Sequence, residues 1–459
     1  MNERSSKSGG SASKSARELA MDVLTRVEKD KAYSNLLLNQ LLQKHKLERH
    51  DAGLATELVY GTIQRLNTID HFLAGFVAKG IHKLEPWVRS LLRLSFYQIY
   101  YLQRIPAHAA VNEAVNIAKR KGHQGISGMV NGVLRNVLRQ KSTLTIAEDM
   151  EPVRRISLLH SHPEWMVARW IRQFGEAATA QMCAANNEAP HASVRVNRLK
   201  RTREEMLEAF AAAGIEAVPS PLAPRGIIAS GGGNLAFTSW YAGGEITIQD
   251  ESSMLVGEAV APLPGMRVLD CCAAPGGKTT HLAEKMGDSG TIVACDLHPH
   301  KEQLIREQAD RLGLSAIQTI VGDAEKLDGT FAAGSFDCIL LDAPCSGLGV
   351  IRRKPDLKWA KAETDIADIC GIQHAILESV HNLLKPGGLL VYSTCTIERS
   401  ENEEMVERFL ASHPEFSLEA FPSGALPVGL AETGRTGMVQ LLPHHYHSDG
   451  FFIARLRKA

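Results

Sequence analysis

The chain lacks any long apolar run: across 459 residues nothing approaches the ~20 needed for a membrane span. Its N-terminus holds no hydrophobic segment of the secretory kind. Eight cysteines are present, yet none forms a Cys-x-x-Cys pair. That argues against zinc and disulfide frameworks and for free thiols in the reducing cytoplasm, so no metal site is expected. Two nucleotide signatures are also missing, Gly-x-Gly-x-x-Gly and Gly-x-x-x-x-Gly-Lys-Ser/Thr. Their absence speaks against a dinucleotide oxidoreductase and a phosphate-loop enzyme. Net charge is zero as well, so no overall charge marks a partner.

That zero conceals an uneven distribution. Residues 1–145 carry 22 Lys and Arg against 11 Asp and Glu, whereas residues 241–459 carry 19 against 30. A basic first third predicts contact with a polyanion, with a solvated basic helical surface as the plainer alternative. Residues 1–15, rich in Ser, Gly and Lys, read as a disordered tail. Residues 16–145 read as helices throughout. Leu19, Ala20, Val23, Leu24 and Val27 share one helical stripe, Leu54, Leu58, Val59, Ile63 and Leu66 another, and Pro86 stands where a helix can begin. Residues 146–240 mix patterns and are expected to form a small α+β module. From 241 to 459, strand candidates 267–270, 291–296, 318–322, 336–342 and 388–394 alternate with helical stretches. Alternation of this kind predicts an α/β, Rossmann-like, mainly parallel sheet covered on both faces. The runs 439–442 and 451–456 suit an antiparallel edge hairpin.

Five strand ends carry the chemistry-bearing residues, at the sheet edge where open α/β folds bind ligands. After the first strand comes Cys272-Ala273-Ala274-Pro275-Gly276-Gly277-Lys278, small residues leading into a helix whose start offers unpaired N–H groups. The second strand ends in Asp296, suited to ribose hydroxyls, and Asp323 follows the third, suited to an adenine amine. These parts fit an adenosyl ligand without pyrophosphate better than a dinucleotide. The plainer reading is a tight turn with capping aspartates. Two further strands end in Asp342-Ala343-Pro344-Cys345 and Ser393-Thr394-Cys395, and two strand-end thiols beside a cofactor loop suggest covalent chemistry. Either thiol alone is as easily a small buried hydrophobe, the reading kept for Cys183, Cys271, Cys295, Cys338 and Cys370.

In order along the chain, several segments together resemble the RNA cytosine carbon-5 methyltransferases. They are Gln249-Asp250-Glu251-Ser252-Ser253, the 272–279 loop, Asp296, Asp323, Asp342-Ala343-Pro344-Cys345-Ser346-Gly347, Arg352-Arg353-Lys354-Pro355-Asp356 with Trp359, Ser393-Thr394-Cys395 and Asp449-Gly450-Phe451-Phe452. Residues 57–61, 108–115 and 131–135 are similar to the NusB-like RNA-binding domain. The combination resembles the bacterial Sun/Fmu type, which acts on cytosine-967 of 16S ribosomal RNA.

The resemblance implies S-adenosyl-L-methionine as cofactor, held by 272–278, Asp296, Asp323 and Asp342. It makes Cys395 the nucleophile and gives Cys345 product release; spacing alone does not choose between the thiols. Asp342 is expected to bind the target base. Arg352, Arg353 and Lys354 are expected to clamp phosphate near it, or to be a solvated loop. Trp359 is read as a stacking face or as simple packing. Lys119, Arg120 and Lys121 belong to the remote RNA grip. The expected partner is 16S rRNA before full subunit assembly, with no membrane and no obligate protein partner, the chain being a monomer. A non-catalytic RNA-binding or antitermination factor that retains the fold is the competing reading.

Overall fold

A computed structural model describes residues 14–30, 32–231 and 233–459. Of the tail expected over 1–15, residues 1–13 lie outside the described residues. Lys14 and Ser15 lead directly into the helix Ala16–Asp30. There Ser15 N donates to Glu18 Oε2 at 3.2 Å and Ser15 Oγ accepts from Glu18 N at 3.3 Å. This reciprocal pair satisfies donors that a helix start leaves over. No helix among the described residues is long and apolar enough to cross a membrane.

The chain divides into two compact units, one running to Cys183 and including Lys354–Ala360, the other comprising Ala184–Arg353 and Lys361–Ala459. The first is helical. Ala16–Asp30, Arg49–Gln64, Pro86–Tyr101, Ala107–Lys121 and Gln124–Gln140 turn their apolar stripes into one core, where Leu19, Leu58, Leu91, Phe96 and Leu134 are fully buried. Pro86 is the first residue of its helix, where its missing N–H removes no bond. The excursion Lys354–Ala360 belongs to this core. Trp359 donates from Nε1 to Ile63 O at 2.8 Å, and buried Lys358 donates to Gln64 O and Ser161 O, both at 3.1 Å. Burial holds the Lys358 ammonium well below the ordinary lysine range.

The second unit holds two sheets. The smaller joins β1 (Ala192–Val196), β2 (Glu216–Pro219), β3 (Gly226–Ser230) and β4 (Ile246–Ile248) in the antiparallel order β2-β3-β1-β4. It therefore takes in residues beyond the expected boundary at 240, because β4 pairs directly with β1. Helix Arg203–Ala212 packs Met206 and Phe210 against it and starts with a capping box, Thr202 and Glu205.

The larger sheet contains β5 (Arg267–Asp270), β6 (Thr291–Asp296), β7 (Ile317–Val321), β8 (Phe336–Asp342), β9 (Leu384–Thr394), β10 (Phe416–Leu418), β11 (Met438–Leu441) and β12 (Phe451–Lys458). Its order is β10-β12-β9-β8-β5-β6-β7, and β11 also pairs with β12. Strands β5 to β9 are parallel, and antiparallel β12 lies on β9. The hairpin of β11 and β12 is thus present, but β12 is interior rather than an edge. Val268, Leu269, Ile292, Ile339, Leu340, Leu390 and Val391 are buried, the near-continuous apolar runs of a sheet covered on both faces.

Candidate active site

Parallel pairing fixes the site, because it brings the carboxyl ends of β5, β6, β8 and β9 to one edge. Asp270 ends β5, and the loop Cys271–Gly276 turns into the helix Gly277–Lys285. Gly276 has φ +99°, and a Cβ there would lie 3.2 Å from Ile305 Cα, so the turn requires glycine. Residues 272–275 of the loop, with Gln249, Asp270, Lys278 and Asp342, line a cavity of about 160 Å³. One polar atom at its floor lacks a partner: Asp270 Oδ1 is buried without a hydrogen bond, while Oδ2 accepts from Thr279 Oγ1 at 2.6 Å. Burial pushes the Asp270 carboxyl up to about 7, Asp342 and Asp296 adding to it against the Thr279 bond. Asp296, at the end of β6, accepts from Ala274 N at 3.2 Å, tying loop to strand. Asp323 caps the turn after β7, accepting from Glu325 N at 3.1 Å and pairing with Lys326 at 3.0 Å.

The β8–β9 register sets Asp342 opposite Ser393, and the two thiols follow their strands into touching loops. Cys345 Sγ and Cys395 Sγ are 3.4 Å apart. The bond between them, then burial, pushes the Cys345 thiol well above its ordinary range. Ser393 Oγ donates to Asp342 Oδ1 at 2.8 Å and Lys278 Nζ to Asp342 Oδ2 at 2.7 Å. Burial opposes the charge on Lys278, but Asp342 and then Cys395 outweigh it and raise its pKa. The Lys278 ammonium also lies 5.3 Å from the Phe451 ring centroid, which ties the Asp449-Gly450-Phe451-Phe452 segment to the site.

The loops are braced from behind. Ser346 N donates to Glu401 Oε2 at 2.8 Å, and Gln373 Nε2 donates to Pro344 O at 2.9 Å and to Glu401 at 3.2 Å. Gly349 N donates to Cys395 O at 3.0 Å and Gly450 N to Gly349 O at 2.8 Å. The backbones approach so closely that a Cβ on Gly349 would lie 1.9 Å from Gly450 O.

The expected phosphate clamp is corrected. Arg352 is buried and donates to the carbonyls of Ala185 (2.9 Å), Pro443 (3.0 Å) and His447. Arg353 pairs with Asp250 at 2.6 Å and Asp449 at 2.9 Å. Both guanidinium groups are spent on holding loops together, because a charge taken out of water must find partners. Lys354 stays exposed. Lys119, Arg120 and Lys121 are also exposed, with Arg120 on Glu18 at 2.9 Å and Lys121 on Asp22 at 3.0 Å.

Other residues emerge only in three dimensions. Arg195, fully buried in β1, donates to Glu284 (2.8 and 3.1 Å), Gly277 O (2.8 Å), Thr280 Oγ1 (3.1 Å) and Gln249. It clamps the helix that begins at the cofactor loop, and the sequence clue was an arginine between two valines of an apolar strand. Glu378, His381 and His413 offer ligand atoms within 4.8 Å of one another, although sequence spacing suggested no metal group. Nδ1 of His381 faces Glu378 O at 2.9 Å and that of His413 faces Phe409 O at 3.1 Å, with His413 stacked on Phe409. His444, His445 and His447 sit in turns, as expected of loop residues. Cys183, Cys271, Cys295, Cys338 and Cys370 are buried.

Comparison with known proteins agrees with this layout. The family described as "16S rRNA methyltransferase RsmB/F" matches residues 258–457. The NusB family matches 14–139, and the ferredoxin-like domain of the RsmF/B-like methyltransferases matches 162–235. The chain is 46% identical over 445 residues to a Bacillus subtilis (strain 168) protein named "Probable ribosomal RNA small subunit methyltransferase B", spanning 97% of this chain and 99% of that protein. It is 37% identical to the ribosomal RNA small subunit methyltransferase B of Pseudomonas syringae pv. tomato (strain DC3000), over 91% of each. A crystal structure of a methyltransferase homologue from Pyrococcus horikoshii superposes with a TM-score of 0.58 at 30% identity, covering 68% of this chain and all of that one.

Proposed function

The chain belongs to the RsmB/F family of 16S rRNA methyltransferases, and on that premise we propose that it methylates carbon 5 of one cytosine in 16S rRNA, cytosine-967, through a covalent adduct with Cys395. The observation that carries the reading is the pair of thiols 3.4 Å apart at the strand ends next to Asp342, which itself lines the loop cavity.

The residues fit S-adenosyl-L-methionine. The glycine turn leaves room for close backbone approach, Asp296 and Asp323 stand at successive strand ends, and the orphaned Asp270 oxygen awaits a donor. Residues 272–278 with Asp296, Asp323 and Asp342 would hold the cofactor, which supplies an electrophilic methyl when bound. Carbon 5 of cytosine is a weak nucleophile. Addition of the Cys395 thiolate to carbon 6 makes carbon 5 enamine-like, and loss of the carbon-5 proton after methylation expels the sulfur. Asp342, fixed by Lys278 and Ser393, would accept hydrogen bonds from the exocyclic amine and from ring nitrogen 3 once that nitrogen takes up a proton in the adduct. Cys345, whose thiol is held protonated by Cys395 and by burial, is suited to assist sulfur departure.

Reaching carbon 6 needs an unstacked base, so the substrate is 16S rRNA in which the target cytosine can leave its stack, as expected before full subunit assembly. Incubation with labelled S-adenosyl-L-methionine and unmodified 16S rRNA, followed by nucleotide mapping, tests the reading. Label as 5-methylcytosine at position 967 is expected. Label on another base or atom, or none, overturns it.

A further inference from the structure

The N-terminal unit contains a second cavity, of about 250 Å³, that the chemistry above does not use. One wall is apolar, formed by Val27, Ile63 and Leu66 with the Trp359 indole. Another is polar and incomplete. Thr62, Ser90 and Asp356 are among the lining residues, and Thr62 Oγ1, Ser90 Oγ and Asp356 Oδ1 are buried without a hydrogen-bond partner. Buried polar atoms are rarely left unpaired, and three on residues around one void point to a ligand that pairs with them.

The remaining polar groups narrow its chemistry. Arg93, also on the wall, is fully engaged, donating to Asp70 at 2.6 and 2.7 Å and to Glu28 at 3.1 Å. Asp356 Oδ2 is taken by Ser34, through N at 3.2 Å and through Oγ. What is left is an acceptor, Asp356 Oδ1, flanked by two hydroxyls that serve in either sense. That edge favours a ligand with an N–H donor. The indole is held by its bond to Ile63 O, and Tyr33, also on the lining, stands 66% exposed. Two aromatic groups and a donor-seeking edge suit a flat heterocycle with an amine. Lys354, exposed and two residues before Asp356, supplies a cation on the same short segment.

We propose that this cavity receives an unstacked, amino-bearing nucleobase of the substrate RNA, held by Thr62, Ser90 and Asp356 and stacked by Trp359 and Tyr33. The proposal rests on RNA being the substrate and adds a base-reading pocket outside the methyl-transfer site. Cytosine, adenine and guanine present an exocyclic amine whose two N–H groups can meet Asp356 Oδ1 and a hydroxyl together; uracil offers only one ring N–H, set between two carbonyls. Asp356 and Trp359 lie on a segment that begins nine residues after Cys345 in the sequence.

The test uses the full-length chain and an unmodified 16S rRNA transcript, with ultraviolet cross-linking, peptide mass spectrometry and an affinity measurement. Adducts of C, A or G on the peptides carrying Tyr33 or Trp359 are expected. Thr62→Val with Ser90→Ala should weaken RNA affinity about tenfold, the order of two lost hydrogen bonds, and reduce the adduct. Tyr33→Ala at the exposed rim leaves the core intact and should weaken binding in the same direction. Both variants should keep the wild-type unfolding midpoint and cofactor affinity. A cavity filled only by water would give no adduct and unchanged affinity, which overturns the proposal, as would an adduct of uridine alone. These readouts do not depend on methyl transfer, so failure of the catalytic reading would appear separately, as missing 5-methylcytosine with the adduct intact.

Discussion

Replacing Arg195 with Met removes the clamp on the cofactor helix, and the structure sets the size of the effect. Arg195 and Glu284 are almost wholly buried, and the guanidinium meets the carboxylate through two bonds of 2.8 and 3.1 Å. Without it a carboxylate stays in the core unpaired, and Gly277 O loses its donor at the first residue of the helix. Breaking a buried pair from one side costs about 3–5 kcal/mol, largely the stranded charge. With a urea m-value of about 2–3 kcal/mol/M, the midpoint of the transition containing this unit should fall by about 1.5 M. Glu284→Met alone should also destabilise, leaving the arginine stranded. The double variant, with two apolar side chains, should return to within about 1 kcal/mol of wild type, giving a coupling of at least about 2 kcal/mol. Calorimetric binding of S-adenosyl-L-methionine should weaken in Arg195→Met and recover in the double variant. Additive losses, or a single loss below about 1 kcal/mol, would show that the clamp holds nothing and refute the reasoning.

The Asp270 carboxyl titrates at about 7 in the folded chain, against about 3.9 when unfolded. Folding therefore takes up a proton between these values, and the associated stability is present below about pH 4 and lost as pH rises through 7. Unfolding midpoints across this window should show the wild type gaining on acidification relative to Asp270→Asn; parallel curves would contradict the shift. Gly349→Ala forces a Cβ to within 1.9 Å of Gly450 O and should cut methyl transfer more than about tenfold while cofactor affinity, read by calorimetry, stays within about twofold. Ala at Lys119, Arg120 and Lys121 together should lower the slope of log affinity for RNA against log salt by about 2 in filter binding, and an unchanged slope would remove these residues from the interface.

Local patterning carried the fold far. The bounds of β5, β6 and β8 coincide with the expected strands, because each is an apolar run ended by an aspartate where the chain leaves the sheet. The meeting of the two loops after β8 and β9 was also legible, since parallel neighbours deliver their ends to the same edge. What stayed hidden depends on partners far apart in sequence. Arg352 and Arg353 read as exposed cations, yet their partners lie about 90 residues or more away, at 443–449, 185 and 250. Trp359 reads in sequence as a stacking face or as simple packing, and only the fold shows that its short segment packs into the helical unit through Ile63. Deleting residues 1–145 would therefore strip Lys358 and Trp359 of their packing, so charge substitution is the cleaner probe of RNA binding.

Covalent trapping bears most directly on the two thiols. With 16S rRNA carrying 5-fluorocytosine, which has no carbon-5 proton to lose, the wild type should form a stable protein–RNA adduct in the presence of S-adenosyl-L-methionine. Cys395→Ala should form none, and Cys345→Ala should hold even ordinary RNA in a slowly released adduct. An adduct at wild-type yield in Cys395→Ala, with rapid release in Cys345→Ala, would contradict the assignment.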